Sequence, residues 1–257
     1  MNNSKVSTSI VISKLTKHFN SINGAVTALS NVDLDINDGE FVSVVGPSGC
    51  GKSTLLHLVA GLSLPSIGEV LIDGQLVTKP QTNIGIVFQR DVLLEWRTAI
   101  DNVLFQIEMR GLKPSDYVAR SEELLYSLGL EGFFHHRPSQ LSGGMRQRVA
   151  ICRALVHDPP LLLMDEPFGA LDALTREQLM IELAALWMAK KKTVVFVTHS
   201  IQEALFLGDR VIVMSKRPGK ILAQIKVDIQ RPRKLNESLV EYNTYSTEIR
   251  GLLGIKV

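Results

Sequence analysis

The stretch "GPSGCGKST", Gly46 to Thr54, constrains the fold of this chain more than any other nine residues. It fits the pattern G-x-x-x-x-G-K-[ST], and its flanks supply the context that gives the pattern meaning. The β-rich run "FVSVV" precedes it and the apolar run "LLHLVAGL" follows, so the reading is strand, glycine loop, helix. Gly46, Gly49 and Gly51 let the backbone around Pro47, Ser48 and Cys50 curl until successive N–H groups point at phosphates. Lys52 would set a positive charge against the β- and γ-phosphates, and the hydroxyl of Ser53 can ligate Mg²⁺. Thr54 completes the motif. The helix behind it contributes an N-terminal dipole worth ~0.3 to 1 kcal/mol to an anion at an exposed site. The motif in these flanks implies that the chain binds a nucleoside triphosphate.

The other short apolar runs, "IGIVF", "LLLMD", "VVFVTH" and "RVIVMS", have the continuous hydrophobicity of strands covered on both faces. Helical patterns lie between several of them, which predicts an α/β fold with a mainly parallel sheet around the phosphate loop. Two regions depart from this. "SIVISKLTKHF" and "ALSNVDLDI", within residues 9 to 36, predict an N-terminal antiparallel β region, the second run alternating as a half-exposed strand does. Residues from about 92 to 150 carry helical stretches and almost no strand signal, and read as a helical subdomain inserted into the α/β core. Two of its helices are "DNVLFQIEMRG" and "SDYVARSEELLYSLGL", the latter with Ser115 as its expected N-cap. The chain is expected to form one domain over residues 1–257, with a short C-terminal extension from about 226 to 257.

A length of 257 residues suffices for one large core, and the composition, 45% hydrophobic and 21% charged, is ordinary for a globular chain. A net charge of +2 gives no argument for a nucleic acid partner. The basic clusters at Lys190 to Lys192 and at Arg231, Arg233 and Lys234 read as solvated faces or loops. Cys50 and Cys152 stand in no metal or redox spacing. His135 and His136 are adjacent and so point in different directions, a non-metal reading. The start, "MNNSKVSTSIVISK", lacks the layout of a secretion signal, and no apolar run reaches the ~18 to 20 residues a membrane span needs. The expected location is cytoplasmic, with any service to a membrane performed by docking on another protein.

"LLLMDEP" reads as a buried strand ending in Asp165 and Glu166. Asp-Glu-Pro can simply terminate a strand. Beside a phosphate loop, however, Asp165 would face the magnesium and Glu166 would orient a water in line with the γ-phosphate and accept its proton. A second anion-binding helix start stands in "QLSGGMRQRVAICRAL", with a helix expected from near Met145.

With these motifs in order, the chain from about residue 9 resembles the ATP-binding subunits of ABC transporters. Gln89 in "VFQRD" matches the Q-loop glutamine, "LSGGM" the signature, "LLLMDEP" the Walker B strand, "ALD" the D-loop, and His199 in "VTHS" the switch histidine. Phe19 in "LTKHF" matches the aromatic that stacks on adenine. The resemblance implies two ATP molecules, each between the phosphate loop of one copy and the signature of a second copy of the same chain. Ser142, Gly143 and Gly144 would then contact the γ-phosphate held by the partner. His199 would hydrogen-bond that phosphate, Gln89 would serve both the metal and the reaction, and Asp172 would couple the two sites. The implied cofactors are ATP and Mg²⁺. The implied partners are a second copy, integral membrane permease subunits and, indirectly, an external solute-binding protein; the implied location is the cytoplasmic face of the membrane.

"VGPSGCGKSTLLHLVAGL", "LLEWRTAIDNV" and "VIVMSKRPGKI" are similar to the importer subunits for nitrate, sulfonates and taurine. An exporter or lipid-transport ATPase, or an ABC ATPase outside transport, are the other readings. Leu93, Leu94 and Trp96 suggest an apolar socket for a membrane subunit, with packing inside the helical region as the alternative. Four residues depart from the group's usual pattern: Glu95 for proline, Ser200 for aspartate, Met145 for glutamine and Cys152 for alanine.

Overall fold

The computed structural model describes residues 9–21, 24–234 and 239–255. In chain order its elements are β1 (Ile10–Ser21), β2 (Gly24–Ile36), β3 (Phe41–Val45), α1 (Lys52–Val59), β4 (Ile67–Ile72), β5 (Gln75–Leu76), β6 (Ile84–Val87), α2 (Ala99–Met109) and α3 (Val118–Ser127). There follow α4 (Gly143–Leu155), β7 (Leu161–Asp165), α5 (Ala173–Lys190), β8 (Thr193–Thr198), α6 (Ile201–Leu207), β9 (Arg210–Met214), β10 (Ile221–Lys226) and α7 (Leu239–Leu252). They fall into two compact units, residues 1–81 with 191–257, and residues 82–190.

In the first unit, β1 pairs antiparallel with β2 and with β4, giving a four-stranded sheet in the order β2-β1-β4-β5. The alternation read in "ALSNVDLDI" is realised from Asn31 on: Val32, Leu34 and Ile36 are buried and Asn31, Asp33 and Asp35 exposed, whereas Ala28 and Leu29 are buried side by side. The other strands of this unit pair mainly in parallel. β3 lies between β8 and β9, both parallel to it, and β10 adds an antiparallel edge on β9. Every residue of β3 and β8 is buried, as continuous apolar runs require. A core of Val45, Ala204, Leu205, Val211, Val213, Ile225 and Ile249 joins these strands to α6 and α7, with Tyr242 and Tyr245 packed against it.

Arg233 corrects a reading made from charge alone. It is 8% exposed, and its guanidinium donates to the carbonyls of Ile229, Leu205, Phe206, Gly208 and Val227 at 2.7–3.2 Å. Three of those carbonyls belong to the C-terminal end of α6, where a helix has no internal donors left. Burial and the neighbouring Arg231 charge push its pKa down to about 10, still far above neutrality, so the group stays charged. Arg231 is also partnered, donating to Asp209 Oδ1 at 2.9 Å. Lys190, by contrast, stands at the surface beside Asp158 at 3.0 Å.

In the second unit, β6 and β7 run parallel in the register Ile84↔Leu161 to Val87↔Met164. Helices α2, α3 and α4 pack on one another, and no strand occurs between residues 92 and 150, all of them described. Thr98 caps α2 with a reciprocal capping box to Asp101. Ser115 does not cap α3. Pro114 opens a short 3₁₀ turn, Pro114–Tyr117, and α3 begins at Val118 after it, with Tyr117 in the cap position. Proline's fixed φ starts the turn early, and the Ser115 hydroxyl goes instead to Asp116 Oδ1 at 3.1 Å. Cys152 is wholly buried in α4, the small apolar residue the sequence suggests, and desolvation raises its thiol pKa strongly.

Candidate functional site

Strand β3 ends at Val45 and β8 ends at Thr198, and these two residues are register partners. The chain therefore leaves both strands at the same edge: the phosphate loop begins at Gly46, and His199 follows Thr198 directly. The carboxyl ends of parallel strands are where open α/β sheets bind ligands. Lys52, at the start of α1, is 4% exposed and donates to the carbonyls of Gly46 at 2.9 Å and Pro47 at 3.2 Å. Its ammonium thus spans the loop that a phosphate would occupy. Gly51 takes the left-handed conformation, φ 111°, and a Cβ there would stand 2.8 Å from Leu29 Cδ2 and 2.9 Å from Ala28 O. Only glycine serves at that corner. Cys50 is 1% exposed, and burial raises its thiol pKa although Lys52 lies beside it. Ser53 lies at the surface of the same turn, with Thr54 partly buried behind it.

The turn after His199 is closely tied. Thr198 Oγ1 donates to the buried Glu203 at 2.5 Å and accepts from the Ser200 amide at 3.0 Å. Ser200 caps α6 through a hydrogen bond from the Glu203 amide, 3.3 Å. Serine and aspartate are both good N-caps, so this departure leaves the helix start capped. Phe19, on β1, is 44% exposed, and Lys17 Nζ stands over its ring, 5.1 Å from the centroid.

In the second unit the same logic brings Gln89 and the acidic pair together. β6 and β7 are parallel and in register, so Phe88–Gln89 and Asp165–Glu166 emerge from the same strand ends. Asp165 is 7% exposed. Glu166 sits at φ 44°, a left-handed conformation that costs a non-glycine residue ~1–2 kcal/mol, and its carbonyl accepts from the Gly169 amide at 3.1 Å. Ser142 is the N-cap of α4, its hydroxyl accepting from the Met145 amide at 3.2 Å. The helix starts at Gly143 rather than near Met145, because the Ser142 cap lets both glycines enter its first turn. Asp172 caps the next helix: it accepts from the Thr175 amide at 3.0 Å, a bond that lowers its pKa.

Of the expected apolar socket, Leu93 is buried, Leu94 is partly buried, and Trp96 is 72% exposed with Val92 at 59%. Glu95 is exposed beside Trp96. What holds this loop is Asn102, wholly buried on α2. Its side chain accepts from the Leu94 amide at 2.7 Å and donates to the carbonyls of Leu94, Arg97 and Thr98. Sequence reading passed over Asn102; the signal was a polar amide within the apolar run "AIDNVLF". Asp91 was also missed. It pairs with Arg146 of α4 at 2.9 Å, and Arg153 of the same helix donates to the carbonyls of Asp91 and Val92 at 2.8 Å. His136 packs on Phe133, ring centroids 5.1 Å apart.

Comparison with known proteins gives the family of the chain. The family model described as ABC transporter matches residues 29–169. The taurine import ATP-binding protein of Rhizobium johnstonii is 50% identical over 206 residues, 80% of this chain and 79% of that protein. The aliphatic sulfonates import ATP-binding protein of Bacillus cereus is 44% identical over 227 residues, 88% of this chain and 89% of that one. A solved dimeric structure of an ATP-binding cassette in a post-hydrolysis state, bound to ADP and Pi, superimposes with a TM-score of 0.77 at 38% identity, covering 86% of this chain and all of that one. The chain thus shares its fold with an ATP-binding cassette, and it belongs to the ABC transporter family.

Proposed function

We propose that the chain is the ATPase subunit of an importer for an organosulfonate such as taurine, working at the cytoplasmic face of the membrane on separate permease subunits. The observation that carries the reading is the pairing of a complete phosphate loop with a second, serine-capped glycine turn at the start of α4. One chain has no use for both at one nucleotide, whereas two copies arranged head to tail complete two sites. The dimeric cassette structure supports this arrangement, and the import proteins to which the chain is similar support the solute class. Among the described residues no helix is long and apolar enough to cross a membrane, which fits a transport role exercised through separate membrane subunits.

The loop fits a polyphosphate: Lys52 spans it and its corner admits no side chain. A hydroxyl, a carboxylate and an amide oxygen, from Ser53, Asp165 and Gln89, are the hard oxygen donors that Mg²⁺ takes. The metal would neutralise charge on the terminal phosphates. Glu166 would orient the attacking water and accept its proton, and His199 would hydrogen-bond the γ-phosphate. Ser142, Gly143 and Gly144 would close the site of the opposite copy, Asp172 would link the two sites, and Phe19 would stack on the adenine. Residues 92–150 act as the helical subdomain, with Trp96 facing the permease. An external solute-binding protein delivers the cargo.

Co-purification with the permease, then uptake into vesicles with ATP inside and taurine and binding protein on the delivery side, tests the reading. Uptake that needs ATP and stops in Glu166→Gln is the expected result. An ATPase that binds no membrane protein and moves no sulfonate overturns it.

A further inference from the structure

The loop between β9 and β10, "SKRPGK", is not part of the machinery described above, yet it lies against the phosphate loop. Arg217 Nε donates to the Gly49 carbonyl at 3.0 Å, and a Cβ on Gly49 would stand 3.3 Å from Arg217 Nη2. Two residues on, Gly219 packs so closely that a Cβ there would be 2.2 Å from the Cys50 carbonyl oxygen. Two separate contacts therefore fall on two consecutive peptides of the cradle.

The loop is also fixed from behind. Gly219 donates to Ala28 O at 2.9 Å and accepts from the Ser30 amide at 3.0 Å, which anchors it to β2 on both sides. Ser215 closes the loop on itself: its amide donates to Lys220 O at 2.9 Å, its hydroxyl donates to Pro218 O at 3.1 Å, and it accepts from the Lys220 amide at 3.0 Å. Arg217 is thus a long side chain on a rigid mount.

We propose that Arg217 is a positioning residue of the phosphate site, holding the Gly49–Cys50 peptide so that its N–H faces the inside of the loop. In a planar trans peptide the carbonyl and the N–H point in opposite directions. Fixing the Gly49 oxygen on the outside fixes the Cys50 N–H on the inside. There it now donates across the loop to Pro47 O at 3.2 Å, in position to turn to a phosphate oxygen instead. Gly49 takes a positive φ of 73°, so this peptide follows a residue that no side chain restrains and gains from an external brace. The inference rests on the phosphate-site reading of residues 46–54.

The test compares wild type, Arg217→Ala, Arg217→Lys and Gly219→Ala by calorimetric titration with Mg-ATP and Mg-ADP, alongside the rate of Cys50 alkylation by N-ethylmaleimide. Arg217 lies at the surface, so its variants fold. Loss of one charge-assisted hydrogen bond that orders the loop should weaken both nucleotides by about the same factor, roughly 5- to 10-fold. Cys50, 1% exposed in the braced loop, should react several-fold faster in Arg217→Ala, with Lys restoring part of both effects. A loss confined to ATP overturns the brace in favour of a direct charge on the γ-phosphate. Unchanged affinity with unchanged alkylation overturns it outright. If wild type binds neither nucleotide, the phosphate-site reading fails, and the alkylation rates alone still decide whether Arg217 holds the loop.

Discussion

Arg233 donates through Nη1 to the carbonyl oxygen of Gly208 at 2.7 Å, with the donor buried and the acceptor at the C-cap of α6. The same nitrogen also serves Leu205 and Phe206, so one guanidinium satisfies the C-terminal carbonyls of a helix whose other end follows His199. Removing it leaves several buried carbonyls without a donor at once. Arg233→Ala should destabilise the protein by about 3–5 kcal/mol in urea or thermal unfolding, the range for breaking a buried charged network. Arg233→Lys should recover only part, because a single ammonium cannot reach carbonyls on both sides.

Glu166→Gln should leave ATP affinity close to that of wild type while reducing turnover by at least ~100-fold, the scale of a lost general base. Size-exclusion chromatography with Mg-ATP should show a stable dimer that wild type populates only briefly. Hydrolysis at the wild-type rate would remove Glu166 from that role.

Ser142→Arg places a cation and bulk at the first turn of α4 and removes a cap. The cap alone is worth ~1 kcal/mol, so the variant should stay folded. Nucleotide binding by the monomer should persist and ATPase activity should vanish. A Ser142→Arg chain that still hydrolyses ATP would show that this turn does not complete the opposite site.

The buried thiols give a pH dependence with a definite sign. Cys152 keeps its proton in the folded state to pH values well above 9.0, while in the unfolded chain it ionises near its ordinary value. Because the folded pKa is raised, the stability from this group is full below the unfolded value and falls as pH rises from there toward the higher folded value. The slope is about 1.4 kcal/mol per pH unit for one such proton. Wild type should therefore lose more stability than Cys152→Ala between pH 9 and pH 10.5 in parallel unfolding curves. Equal losses would mean that the Cys152 side chain reaches solvent.

Much of the local placement of the candidate residues was legible because their types carry their own geometry. A glycine-lysine loop between a buried strand and an apolar helix has few structural alternatives, and the strand ends placed Gln89, Asp165 and His199 by register alone. Ser115 and Arg233 misled for physical reasons. Ser115 has the right chemistry for a cap, but Pro114 beside it starts a tighter turn, and a local rule outranked a propensity. Arg233 looked solvated because charge predicts exposure on average. The sequence cannot display the α6 carbonyls it serves, which lie 25 to 28 positions away. Asn102 and Asp91 were hidden in the same way, since their partners are backbone groups and a side chain brought near only by folding.

The pairing of Asp91 with Arg146, and of the neighbouring carbonyls with Arg153, gives α4 a mechanical character. The two arginines are seven residues apart, two turns or roughly 10 Å along one side of the helix. A grip at two points resists rolling as well as sliding. A subunit pressing on the loop that carries Trp96 would therefore turn α4 as a rigid shaft, and the turn at Ser142 would swing with it. Solute gating and nucleotide closure would then share one moving part, so that neither could shift without the other.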